Sequence, residues 1–137
     1  MDLINNKVAF FFISESIKKV SDGGRIITLV TSLLAVCTPF YPVYQGTKAA
    51  VEYYTKAASK ELMARNVTVN CVAPGPMDTP SFYPQETPEA VEFYKSSALQ
   101  HRLTDIKDIV PIIKFLVTDG GWITGQVIFA NGGLAAN

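Results

Sequence analysis

Two short runs constrain this chain more than anything else in it: RIITLVT at residues 25–31 and VTVNCVA at residues 67–73. Each is apolar and β-branched on both faces instead of alternating, the pattern of a strand covered on both sides in a parallel sheet. Parallel neighbours need a crossover of about a dozen residues or more, usually a helix. The stretch between the runs supplies one. From about Val43 to Arg65 it is rich in helix formers, among them Ala49, Ala50, Glu52, Lys56, Ala57, Ala58, Lys60, Glu61, Leu62, Met63 and Ala64. A strand–helix–strand unit is expected at the centre of the fold.

The flanking segments extend that unit. Ile4 to Val20 has apolar residues dominating one helical side and stops at Gly23-Gly24, so a helix leads into the first strand. Pro74-Gly75-Pro76 closes the second strand. Asp78 to Gln100 is proline-spaced and mixed, with a short helix expected around Pro88 to Leu99. Irregular segments that follow a strand often cover a binding site, so this one is read as a lid. Asp105 to Thr118 reads as a helix that Pro111 can bend, because proline removes one backbone donor. Gln126 to Ala130 reads as a third strand, ended by Asn131-Gly132-Gly133. This order implies right-handed crossovers and a parallel sheet with helices on both faces.

Composition narrows the function classes. With 137 residues and 48% hydrophobic content the chain can bury one core, not two. Twelve basic and twelve acidic residues cancel, and no basic stripe is present, which argues against a nucleic-acid partner. Cys37 and Cys71 lie far apart and His101 is the single histidine, so no familiar metal-ligand spacing occurs and both cysteines read as reduced, structural thiols. His101 itself is placed in a loop before the last helix, without chemistry. Val8 to Ile13, the longest apolar run near the start, is far below the ~20 residues that span a bilayer. Without a cleavable signal layout, a cytoplasmic protein with no membrane partner is expected. Asn66-Val67-Thr68 matches a glycosylation triplet but opens a buried strand, and is read as coincidence.

The chemistry concentrates around Tyr44-Gln45-Gly46-Thr47-Lys48. Four residues apart on a helix, the phenol and the ammonium lie on one face about one turn apart. An adjacent cation favours phenolate and lowers a tyrosine pKa from about 10, each unit being about 1.4 kcal/mol. Alone, such a pair is most often a solvated surface contact. Thr31, thirteen residues earlier at the end of the first strand, changes the reading, because the carboxyl ends of parallel strands face the usual ligand crevice.

With GGRIITLVT leading to YQGTK, then NVTVNCVAPGPMDTP and finally ITGQVIFANGG, essentially the whole chain resembles the short-chain dehydrogenase/reductase family. The resemblance implies a set of roles. Tyr44 would be the general acid/base, Lys48 its partner and ribose contact, and Thr31 would occupy the family's serine position, where Ser32 is the neighbouring alternative. Threonine brings the same hydroxyl as serine. The run Asn5-Asn6-Lys7-Val8-Ala9-Phe10-Phe11 resembles the segment that holds the family's asparagine, with Asn5 in that place and Asn6 as the alternative, and implies a proton relay through Asn5, a water and Lys48. Pro74-Gly75-Pro76-Met77-Asp78-Thr79 resembles the turn beside the nicotinamide, so Pro74, Gly75 and Thr79 join Tyr44 and Lys48 as cofactor-binding candidates. Read without the family, it is a strand-terminating turn. Ile123-Thr124-Gly125-Gln126 and Asn131-Gly132-Gly133 are fold markers.

The fold expected is therefore α/β, the C-terminal part of a doubly wound Rossmann-like parallel sheet. The implied reaction is hydride transfer between NAD or NADP and a small carbonyl or alcohol substrate, with no metal. The glycine-rich turn that binds the pyrophosphate at a helix N-terminus is not among residues 1–137, which are read as a single partial domain lacking the N-terminal half. A fragment of a longer enzyme is expected, holding cofactor weakly by itself, its first strand presenting an open apolar edge. The alternative is a truncated, non-catalytic interaction module of the same ancestry. The resemblance further implies a homodimer or homotetramer built on the two long helices. The carbonyl substrate and the choice between NAD and NADP are not legible in these residues.

Overall fold

The computed structural model describes residues 2–36 and 38–135. Cys37 lies outside the described residues. Three parallel strands form one sheet in the order β1-β2-β3: β1 is Arg25–Leu29, β2 Thr68–Pro74 and β3 Val127–Ala130. Arg25 pairs with Thr68 at one end of the β1–β2 register, and Cys71 pairs with Val127 where β3 begins. α1 (Ala9–Lys19), preceded by a π-helical stretch, Leu3–Val8, leads into β1; α2 (Pro42–Glu61) joins β1 to β2, and α3 (Pro88–Ser96) and α4 (Ile106–Thr118) lie between β2 and β3. The α/β, Rossmann-like reading thus holds, each expected element falling within a few residues of its expected bounds.

The reason lies in β2. Every residue of this strand is buried, as its β-branched, two-faced pattern demands. One face packs with Ile26, Val30, Val51, Ala58, Leu62 and Ile13, which belong to β1 and its extension, α2 and its end, and α1. Val72 points to the other face, into a second cluster with Ile109 and Leu116 of α4. Helices therefore cover both faces. β1 is less covered than its sequence suggests: Ile26 and Thr28 are buried, but Leu29 is half exposed, and the outer edge of β1 has no strand partner among the described residues.

Several polar residues fix the connections. Arg65 donates from Nη1 to the Ile17 carbonyl at 2.8 Å and from Nη2 to the Val20 carbonyl, capping the C-terminal end of α1 while its Nε holds Asp22 at 2.7 Å. Asn70, fully buried in β2, donates to the Ile123 carbonyl at 2.7 Å and accepts from the Gln126 N–H at 3.0 Å. These bonds lock the turn before β3 onto the central strand. In that turn Gly125 takes φ +72°, and a Cβ there would sit 2.8 Å from Ser59 Oγ, so glycine is required twice over.

Candidate active site

The carboxyl ends of β1 and β2 open into a cavity of about 400 Å³. Its walls come from the chain just after β1 (Leu29 to Leu33), the start of α2 (Tyr41, Tyr44), the turn after β2 (Pro74 to Met77, Thr79) and the segment leading to and including α3 (Ser81, Phe82, Gln85, Glu86, Tyr94). Apolar and aromatic side chains predominate, with a few polar groups converging, as in most small-molecule sites.

The chain leaves β1 still extended, with the Val30 N–H donating to the Val72 carbonyl at 2.9 Å, and turns at Thr31 into a 3₁₀ helix over Ser32–Ala35. Thr31 caps that helix: its Oγ1 accepts from the Leu33 N–H at 3.3 Å. The bond uses one lone pair and leaves the hydroxyl proton for another acceptor. Thr31 and Ser32 are both buried and both line the cavity.

Pro42 at the first turn of α2 suits a helix start, where its missing N–H is no loss. Tyr44 follows within that turn and lines the same cavity as Thr31. One turn further on, Lys48 reaches back and donates from Nζ to the Leu29 carbonyl at 3.1 Å, at the C-terminal end of β1. Burial pushes its ammonium down from the ordinary lysine value. No acidic side chain pairs with it among the described residues, and an ammonium has three donors, so Lys48 keeps hydrogen-bonding capacity for an incoming group.

Pro74, Gly75 and Thr79 line the same cavity. Gly75 has a packing reason to be glycine that the sequence did not show: a Cβ there would stand 2.8 Å from Thr104 Oγ1 and 3.1 Å from the Asn131 Cα. Asn5 is the candidate not drawn into this group. It lies in the π-helical stretch, half-buried, with no hydrogen bond to the other candidates among the described residues. Its neighbour Asn6 does reach α2, accepting from the Tyr54 hydroxyl at 2.8 Å. Cys71, free and buried, has its thiol pushed up by burial and lies against Thr28 Oγ1 at 3.1 Å, a core contact. His101 is exposed in a 3₁₀ turn, and Thr68 of the glycosylation triplet is buried.

Sequence reasoning missed Tyr41, Phe82, Glu86 and Tyr94. The Tyr41 hydroxyl donates to Glu86 Oε1 at 2.7 Å, across 45 residues of chain, and the Phe82 and Tyr94 rings stand 6.1 Å apart. The available signal was the density of aromatic residues between Ser81 and Leu99 and the tyrosine one turn before Tyr44.

A twisted parallel sheet with helices on both faces, whose ligand cavity sits at the carboxyl ends of its strands, defines the nucleotide-binding α/β class. The family described as enoyl-(acyl carrier protein) reductase matches residues 3–135, and the chain belongs to it, within the short-chain dehydrogenases/reductases. Over 133 residues it is 45% identical to the NADPH-dependent aldehyde reductase 2, chloroplastic, of Arabidopsis thaliana, covering 95% of this chain and 49% of that protein. Among solved structures, a protein from Burkholderia cenocepacia with bound NADP superposes with a TM-score of 0.96 at 53% identity, covering all of this chain and 54% of the other. The angucycline C-6 ketoreductase LanV with bound NADP gives 0.90 at 34% identity, covering 98% and 52%. The chain thus spans about half the length of the relatives it matches.

Proposed function

We propose that this chain is the catalytic half of an NADP-dependent carbonyl reductase, with Tyr44 as the group that exchanges a proton with the substrate oxygen. The observation that carries the proposal is the shared cavity: Thr31 and Tyr44, thirteen residues apart, both line it at the carboxyl end of the sheet, and Lys48, one helical turn after Tyr44, donates to the carbonyl of Leu29, another lining residue. NADP is favoured over NAD by the relatives, one named NADPH-dependent and two solved with NADP.

When bound, the nicotinamide would supply or accept the hydride. The chain's own groups do the rest. The Thr31 hydroxyl donates to the carbonyl oxygen and holds it toward Tyr44. The Tyr44 hydroxyl gives its proton to that oxygen as negative charge develops there, a general-acid role. Lys48 keeps two donors beyond the one on Leu29 for the hydroxyls of the ribose. Pro74, Gly75 and Thr79 form the wall against which the ring would lie. A proton relay through Asn5, a water and Lys48 is what the family resemblance adds to this scheme; the hydrogen bond observed from that stretch to α2 is made by Asn6.

The test is reduction of a neutral ketone by the full-length enzyme that carries this chain, or by this chain fused to the N-terminal half of the Arabidopsis relative. Tyr44→Phe should lower turnover by at least about 10²-fold, the usual scale of acid–base contributions. Unchanged turnover would move the proton to another group. The competing reading, an interaction module without catalysis, gains support only if the fused wild-type protein binds NADPH and turns over no carbonyl compound.

A further inference from the structure

Among the described residues that line the cavity Glu86 is the one charged side chain; the Lys48 ammonium, bonded to the Leu29 carbonyl, is not part of the lining. The other surfaces are aliphatic and aromatic (Val30, Leu33, Met77, Phe82, Tyr94) or carry neutral hydroxyls and amides. Glu86 is held where it stands by Tyr41, the residue capping the start of α2, whose hydroxyl donates to Oε1 at 2.7 Å. The hydrogen bond to Glu86 raises the Tyr41 phenol well above its usual range, so it stays a donor. Glu86 Oε2 has no hydrogen-bond partner among the described residues.

That bond is also structural. The segment from Thr79 to Ala98 is anchored at its ends, where the Asp78 N–H donates to the Thr104 carbonyl at 2.9 Å and the Leu99 N–H to the Gly132 carbonyl at 2.7 Å. Between those anchors, the Tyr41–Glu86 bond ties the segment to the start of α2. The carboxylate is therefore fixed on the inner wall, over the same helix turn that carries Tyr44.

We propose that Glu86, positioned by Tyr41, is the specificity-determining residue of this site, admitting neutral or hydroxyl-bearing aromatic and aliphatic carbonyl compounds and rejecting anionic ones such as keto acids. The proposal rests on the cavity being the carbonyl site described above. Bringing a carboxylate or phosphate into a partly desolvated space beside a fixed negative charge, with no cation on the wall to offset it, is unfavourable through like-charge repulsion. A hydroxyl or amide N–H on the ligand instead finds an open acceptor in Oε2.

The experiment needs neither cofactor nor turnover. The chain, ¹⁵N-labelled, is titrated with 4-acetylbenzamide and with 4-acetylbenzoate, two ketones of one shape differing in charge, and affinities are read from amide shifts of cavity residues. The wild-type chain should bind the amide at least about tenfold more tightly. Glu86→Gln, which keeps an oxygen for Tyr41 to donate to, should bring the two affinities within about twofold of each other. Glu86→Asp retains the charge and should retain the preference. Equal wild-type affinities, a preference that survives Glu86→Gln, or shifts from neither probe at Thr31, Tyr44 and Phe82 would each overturn the proposal. Loss of the catalytic reading looks different: Tyr44→Phe would leave turnover unchanged while the charge preference persists.

Discussion

At Lys48 the fold asks a cation to give up part of its hydration with only a backbone carbonyl in return. Its folded pKa lies below its ordinary 10.5, so between those two values the unfolded chain holds more protons than the folded one. By linkage, stability rises with pH across that interval, and the lysine contributes a cost at neutral pH that fades as the ammonium deprotonates. Lys48→Met should remove this rise, leaving urea-unfolding stability flatter than in the wild type as pH approaches the ordinary lysine value of 10.5 from below. A variant whose pH dependence matches the wild type would show that the ammonium is as well solvated folded as unfolded. A residue that is held at a stability cost, at the end of a strand beside a cavity, is what a functional site asks of its scaffold.

At the scale of elements, α4 shows how local chemistry sets a boundary. Asp105 caps it by accepting from the Lys107 N–H at 2.9 Å, and Asp108 Oδ2 accepts the Asp105 N–H at 2.8 Å, a reciprocal box in which aspartate stands where glutamate is commoner. Arg102 grips the same Asp108 carboxylate through two nitrogens, at 2.5 and 3.0 Å. The Arg102 hydrogen bond is the chief cause that lowers Asp108 from 3.8 to about 2. A lowered carboxyl stabilises the fold above its unfolded value and loses that contribution as pH falls from 3.8 toward about 2. Asp108→Asn should destabilise the chain at neutral pH and flatten its acid unfolding across that window, measured by circular dichroism. An unchanged acid transition would mean the cap forms equally well without the charge.

The elements were legible in the sequence because two signals agree along most of the chain: two-faced β-branched runs and helix formers between them. Placement near the cavity was legible where a candidate lies on or at the end of such an element: Thr31 and Tyr44 line it, and Lys48 is bonded to the carbonyl of Leu29 in its wall. It was not legible at Glu86, because the partner that gives Glu86 meaning lies 45 residues away and the pairing is created by the path of an irregular segment. Nor was the reason for Gly75 visible, since the crowding comes from Thr104 and Asn131, both distant in sequence. Asn5 is the opposite case: the motif singles it out, and the observed hydrogen bond to α2 comes from Asn6.

For the whole molecule, the surface that stands out is the outer side of the first helix. Ile4, Val8, Phe11 and Phe12 are all more than half exposed, and so is Tyr53 on α2, while the Phe10 and Tyr54 rings meet edge-on at 5.4 Å between the two helices. So much apolar area on adjoining helices marks an interaction surface. We propose that it pairs with its copy in a homodimer or homotetramer, closed symmetry being the rule for soluble assemblies. Light scattering coupled to gel filtration should give at least twice the chain mass, and a clean monomer at about micromolar concentration would refute the assembly.

The sheet register carries one more consequence. Arg25 must find Thr68, and Cys71 must find Val127, so no strand pairs with a neighbour close to it along the chain. Loop closure has to precede every rung of the ladder, and chains dominated by such distant pairings fold on the scale of about milliseconds to seconds, far slower than helical bundles of equal size. During that interval the residues of β2, all buried in the finished fold, have no shelter, because their cover arrives from both directions of the chain. Synthesis delivers β1 and α2 before β2 and β3 after it, so the nascent polypeptide completes one flank of its central strand before the other has been made.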